Sequence, residues 1–139
     1  MNVIFRVMSA IAATYFVGHA WAAPELQVKF HMGIGNGTTQ EVGGTLANIG
    51  DAPIAQGYIV ITPIATGCHP KASVIYPFGF LVPGEEHSFR VHVAERFSSY
   101  RLQMGAVDEQ GFAVMAKDAN QAILDARIGE ERDRCNTAR

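Results

Sequence analysis

The chain has 139 residues, 48% of them hydrophobic, 17% charged and 9% aromatic, with a formal net charge of −2. That length admits one domain of ordinary size, and the apolar content excludes a disordered chain, which has too little apolar area to offset the entropy of folding. The slightly acidic balance also lacks the basic face that phosphate neutralisation requires, so no nucleic-acid partner is expected.

Taken in chain order, the first segment stands apart. Residues Met1 to Ala22 carry one charged side chain, Arg6, ahead of the apolar run Val7 to Val17, and they end in Ala20-Trp21-Ala22. A basic start, a short apolar centre and a small-x-small end describe a secretory signal peptide cleaved after Ala22. The apolar run is shorter than the ~20 residues of a spanning helix and is followed by His19, so no membrane association is expected after cleavage. Removal of residues 1–22 takes Arg6 away, shifts the formal charge from −2 to −3, and leaves residues 23–139 as one secreted or periplasmic domain.

That domain reads as β from its start. Leu26, Val28, Phe30, Met32 and Ile34 alternate with Gln27, Lys29, His31 and Gly33, which predicts a strand with the first set on one inward face. Gly35-Asn36-Gly37 suits a tight turn; Asn36-Gly37-Thr38 is formally a glycosylation sequon, read here as part of that turn. A second strand runs from Val42 to Asn48, where Gly43-Gly44 predicts a bulge. Gly57 to Pro63 is an almost continuous apolar run that suits a central strand, and Thr66 to Pro70 is a loop. Ser73 to Tyr76 predicts a short strand halted by Pro77. Further strands are predicted over His87 to Val93, Tyr100 to Val107 and Phe112 to Met115, with turns at Pro83-Gly84 and Asp108 to Gly111. The tail changes period: Ala119, Ala122, Ile123 and Ala126 follow Asp118, a candidate N-cap, at helical spacing. A short helix and an extra or exchanged edge strand both fit that tail. The expected fold is an all-β, immunoglobulin-like sandwich of about seven strands with a short helical or extended C-terminal tail.

Two segments carry a family resemblance. Tyr100-Arg101-Leu102-Gln103-Met104-Gly105-Ala106-Val107 resembles the Tyr-x-apolar-x-apolar-x-Ala-Val strand of fibronectin type III modules. Pro83-Gly84-Glu85-Glu86-His87-Ser88-Phe89-Arg90-Val91 is similar to the segment that leads into the strand before it. The resemblance spans Leu26 to Met115 and implies that Tyr100 packs at a sandwich corner and bonds its hydroxyl to nearby backbone. Size, export, the cysteine pair and strand order together resemble small secreted bacterial fibronectin type III-like proteins, the interleukin receptor mimic protein A family. Membership implies a cytokine-receptor-like or adhesin-like binding domain with a protein partner, for instance a host immune protein, and a strand-swapped homodimer.

Cys68 and Cys135 are the only cysteines. In an oxidising compartment two thiols point to one structural bridge, with intermolecular pairing as the alternative. They form no Cys-x-x-Cys redox pair and no clustered zinc-ligand spacing. His31-Met32 and Cys68-His69 are ligand types that suit copper, so a periplasmic copper- or zinc-binding protein is the alternative function. Adjacent strand residues point to opposite faces, however, and a bridged Cys68 offers no thiolate, so neither a metal site nor a cofactor is expected. No serine lies in a nucleophile elbow and no carboxylate pair is placed for acid–base work, which leaves an enzyme without support. An enzyme inhibitor is a further reading that the residues do not separate from a binding domain. The apolar segment Val74 to Pro83 offers Tyr76, Phe78, Phe80 and Leu81 as a candidate partner-binding patch; the competing reading is a crossover whose side chains complete the core.

Overall fold

The structure, a computed structural model, describes residues 21–35 and 39–137. The leader expectation falls mainly on residues 1–20, and the first turn and its sequon on residues 36–38; both lie outside the described residues. The described chain folds as seven strands and one helix: β1 (Glu25–Gly35), β2 (Gln40–Asn48), β3 (Gln56–Ile64), β4 (Val74–Phe78), β5 (Glu86–Val93), β6 (Ser99–Val107), β7 (Met115–Asp118) and α1 (Gln121–Thr137). They form a β-sandwich with a helical tail: one sheet runs β5-β2-β1-β7, the other β4-β3-β6.

Side chains from both inner faces meet in one core. Leu26, Val42 and Leu46 of the first sheet and Ile59 and Ile61 of the second are fully buried, joined by Phe78, Leu81, Phe89 and Val91. Burial of each such side chain contributes roughly 1.5–3 kcal/mol against leaving it in water. One polar side chain sits among them. Buried Asn48 donates from Nδ2 to the carbonyls of Ala52 (2.8 Å) and Leu81 (3.1 Å), while its Oδ1 accepts from Gly50 N–H (3.1 Å). It thereby ties the end of β2 to the crossover that leaves β4.

Several expected boundaries move, each for a local reason. Pro77 does not halt β4, which continues to Phe78, because β4 is an edge strand where a missing N–H costs no ladder bond. The last strand is Met115–Asp118 rather than Phe112 to Met115: only Ala113 bridges to β6, at Val107, before the chain crosses to pair in parallel with β1. Asp118 therefore ends a strand, and Asn120 caps the helix, its carbonyl accepting the N–H of Ile123 (2.9 Å) and Leu124 (3.1 Å). The tail is helical.

The bulge also changes strands. The β1–β2 register shifts between Val28 and Phe30, so the extra residue lies in β1, whereas β2 pairs with β5 without a shift. Gly44 answers a different need: a Cβ there would stand 2.2 Å from the Phe30 carbonyl oxygen and 2.8 Å from the Phe89 ring. Because a bulge places two successive residues on one side, it reverses which set of β1 side chains faces inward.

Cys68 and Cys135, 67 positions apart in sequence, are joined in a disulfide with Cα atoms 5.5 Å apart. The bridge fastens the C-terminal part of α1 to the loop after β3. A closure of that length contributes roughly 4 kcal/mol by the chain-entropy relation. No described helix is long and apolar enough to cross a membrane.

Candidate partner-binding surface

The reversal in β1 creates the most distinctive surface of the sandwich. Leu26 and Val28 point into the core and are fully buried. Beyond the bulge, Phe30, Met32 and Ile34 point to solvent and are 50%, 47% and 42% exposed, so the expectation that they share the inner face with Leu26 and Val28 is corrected. Register then builds three rows across the outer face of the first sheet: Phe30-Thr45-Ser88, Met32-Gly43-Arg90 and Ile34-Glu41-His92. Gly43, in the centre, has no side chain to fill its place. The result is a shallow groove of about 310 Å³, walled by the apolar stripe on one side and by Ser88 and Arg90 on the other.

Charges around this groove neutralise one another. Arg90 lies 3.5 Å from Glu41, and Lys29, at the bulge, pairs with Glu86. The face therefore presents an apolar centre with paired charges at its rim, the composition of a protein-contact surface.

Behind the stripe, the same reversal turns His31 inward. Its Nδ1 lies 2.7 Å from the Tyr100 hydroxyl and its Nε2 lies 2.8 Å from Oδ2 of Asp118. The His31 and Asp118 side chains are 8% and 5% exposed, so this pair is shielded from water. Burial, and secondarily the negative charge of Asp118, pushes the Tyr100 hydroxyl up to about 12. Tyr100 thus keeps its proton, and its hydroxyl and the Asp118 carboxylate occupy the two ring nitrogens of His31. A hydroxyl so hard to ionise is a poor nucleophile or base. The triad holds β1, β6 and the end of β7 together and gives the stripe a rigid backing. Where the resemblance implies a hydroxyl bonded to nearby backbone, the Tyr100 hydroxyl instead bonds the His31 side chain.

The other sequence-predicted site residues separate. Phe78 and Leu81 are buried in the core, and Tyr76 is half-buried, with its hydroxyl 3.0 Å from Nε2 of His87. Phe80 alone of the four is exposed. The crossover therefore mainly completes the core. The paired metal-ligand types do not converge either: His31 faces inward, Met32 outward, and Cys68 is bridged. Among the described residues no group of three or more His, Cys, Asp or Glu is placed to hold a metal ion. Sequence reading missed Phe30, Met32 and Ile34 as a surface because an unbroken alternation carries no mark of a bulge. The Gly43-Gly44 pair was the available signal, and it marks the right level of the sheet on the neighbouring strand.

No protein-family model and no curated protein matches the chain. A solved structure of IrmA from Escherichia coli is similar at 7% identity, with a TM-score of 0.47 over 72% of this chain and 93% of that one.

Proposed function

We propose that this chain is a non-enzymatic binding protein, secreted or periplasmic, that recognises a protein partner through the outer face of β1, β2 and β5. One observation carries the reading: Phe30, Met32 and Ile34 form a contiguous, half-exposed stripe on a face backed by hydrogen bonds from His31 to Tyr100 and Asp118. Sheets that end in solvent normally present polar residues on that side, so three large apolar side chains in register favour a docking function. The disulfide supports an oxidising compartment. The cytokine-receptor-like or adhesin-like partner implied by the sequence belongs to this reading, because a flat apolar centre with a neutral rim suits the surface of a folded protein.

A photo-crosslinking amino acid at Met32, compared with one at Glu109 on the β6–β7 turn, tests it in culture medium and periplasmic extract. A discrete adduct is expected from position 32 alone. Equal capture at both positions, or none at position 32, overturns the proposal.

A further inference from the structure

A second surface lies on the other side of the sandwich, where β6 is only half covered. Val114 N–H donates to the Ala106 carbonyl (2.9 Å), which shows that the main-chain groups of Ala106 point away from β3. Strand residues two apart share that direction, so the N–H and C=O of Leu102 and Met104 also point outward from the sheet. Beyond Val114 the chain turns away to β1, and among the described residues no strand continues the ladder along Tyr100 to Met104. The side chains of Leu102 and Met104 pack against the core only in part.

Helix α1 begins beside this edge, just after β7. Gln121, Leu124, Ile128 and Cys135 fall on one face of a 3.6-residue helix. Gln121 lines the space beside β6 and Cys135 is bridged to Cys68, so that face is turned toward the sandwich. Leu124 and Ile128 nevertheless stay 37% and 48% exposed, and no residue of α1 is buried. Beside the open edge lies a cleft of about 650 Å³, bordered by Tyr58, Val60, Gln103 and Met104 on one side and by Ala116 to Asp118 of β7, with Gln121 at the start of α1, on the other.

We propose that the open stretch of β6, Tyr100 to Met104, takes up an extended peptide segment of a partner protein as an added strand, lodged in the cleft between that edge and Ala116 to Asp118. Strand addition supplies main-chain partners to Leu102 and Met104 and uses alternate side chains for specificity. The inward residues of the segment are apolar, covering Leu102, Met104 and Ala116. Charge selects the interleaved ones. Lys117 and Asp118 at the cleft are already paired with Glu25 and His31, whereas exposed Arg101 on the outer face of β6 makes no ion pair among the described residues. An acidic residue opposite Arg101 is therefore preferred. The β5 edge is a poorer candidate, because Glu86, Arg90 and His92 line its outer side and charges discourage strand pairing.

The test uses a library of blocked eight-residue peptides with apolar residues at alternate positions and glutamate or lysine between them. Glutamate-containing peptides are expected to be enriched on the oxidised protein, to slow amide exchange at Leu102 and Met104, and to bind roughly tenfold more weakly when N-methylated on the pairing edge, the loss expected for about two hydrogen bonds. Arg101→Glu is expected to reverse the preference to lysine. Met104→Pro deletes only the outward donor and abolishes binding, with Met104→Ala as the control for the lost side chain. The N-methylated peptide leaves the protein untouched and decides the matter where the proline variant fails to fold. No enrichment, protection at other amides, or indifference to N-methylation overturns the proposal.

Discussion

The two halves of β1 belong to one strand and one unbroken alternation of apolar residues, yet they end in opposite environments. In Glu25 to Val28 the alternation meets the core: Leu26 and Val28 are fully buried, and the strand is paired on both sides, with β2 and β7. In Phe30 to Gly35 the same alternation meets solvent, and His31 enters the space that an apolar side chain occupies in the lower half. One extra residue separates the two. The contrast teaches that hydrophobic period identifies a strand but not which face is core, since a shift of one residue exchanges the faces wholesale.

Substitution separates the halves most sharply. Leu26→Ala is expected to lower stability by about 2–5 kcal/mol, from lost transfer energy and a residual cavity. Met32→Ala is expected to stay within about 0.5 kcal/mol, because its side chain is already half in water. Urea unfolding of the two variants measures the gap; equal losses would mean that the bulge does not divide the strand.

Removal of the Cys68–Cys135 bridge by paired serine substitutions extends the comparison to the tail. A cost of about 2–4 kcal/mol is expected. Because no residue of α1 is buried, exchange protection should vanish along the helix while the core strands keep theirs. Retained protection in α1 of the serine variant would show that the helix is held by packing rather than by the bridge.

The buried triad behind the upper half makes its own pH signature. The Tyr100 hydroxyl is raised from 10.0 to about 12, so between those values the folded state holds a proton that the unfolded state has released. Stability contributed by this group is whole below about pH 10 and falls as pH rises toward 12. Tyr100→Phe should flatten that fall relative to the parent protein in denaturant titrations at successive pH values. Parallel curves for the two proteins would remove Tyr100 from the shielded triad.

These contrasts also show what was legible in the residues alone. Turn chemistry and apolar spacing located the strands and the sandwich, and two cysteines pointed to the bridge, because each is set by local geometry or by simple pairing. The β1 surface was not legible. Phe30, Met32 and Ile34 look like core until a bulge reverses them, and the bulge depends on how β1 sits against β2, a long-range fact. The His31-Tyr100-Asp118 triad was hidden for the same reason, since its members are separated by 69 and 87 positions and meet only across both sheets. Asp118 also misled at short range: it sits where an N-cap belongs, but its carboxylate is drawn to His31 and to the Asn120 N–H at 2.8 Å.

A further small expected effect tests the bulge itself. Deletion of Lys29 removes the extra residue and converts β1 into a regular strand, in which Val28 faces in, Phe30 out and His31 in, as they already do. Both sets of side chains should therefore keep their faces. The losses are confined to the local twist and to the Lys29–Glu86 ion pair, whose side chains are 47% and 53% exposed and contribute at most about 1 kcal/mol. A urea midpoint close to that of the parent protein is expected, with the Tyr100 titration unchanged and crosslinking from position 32 retained. Had the alternation of β1 been continuous through Lys29, its deletion would instead push Phe30, Met32 and Ile34 across the sheet. Wholesale unfolding on deletion would therefore place the division between core and surface somewhere other than this single residue.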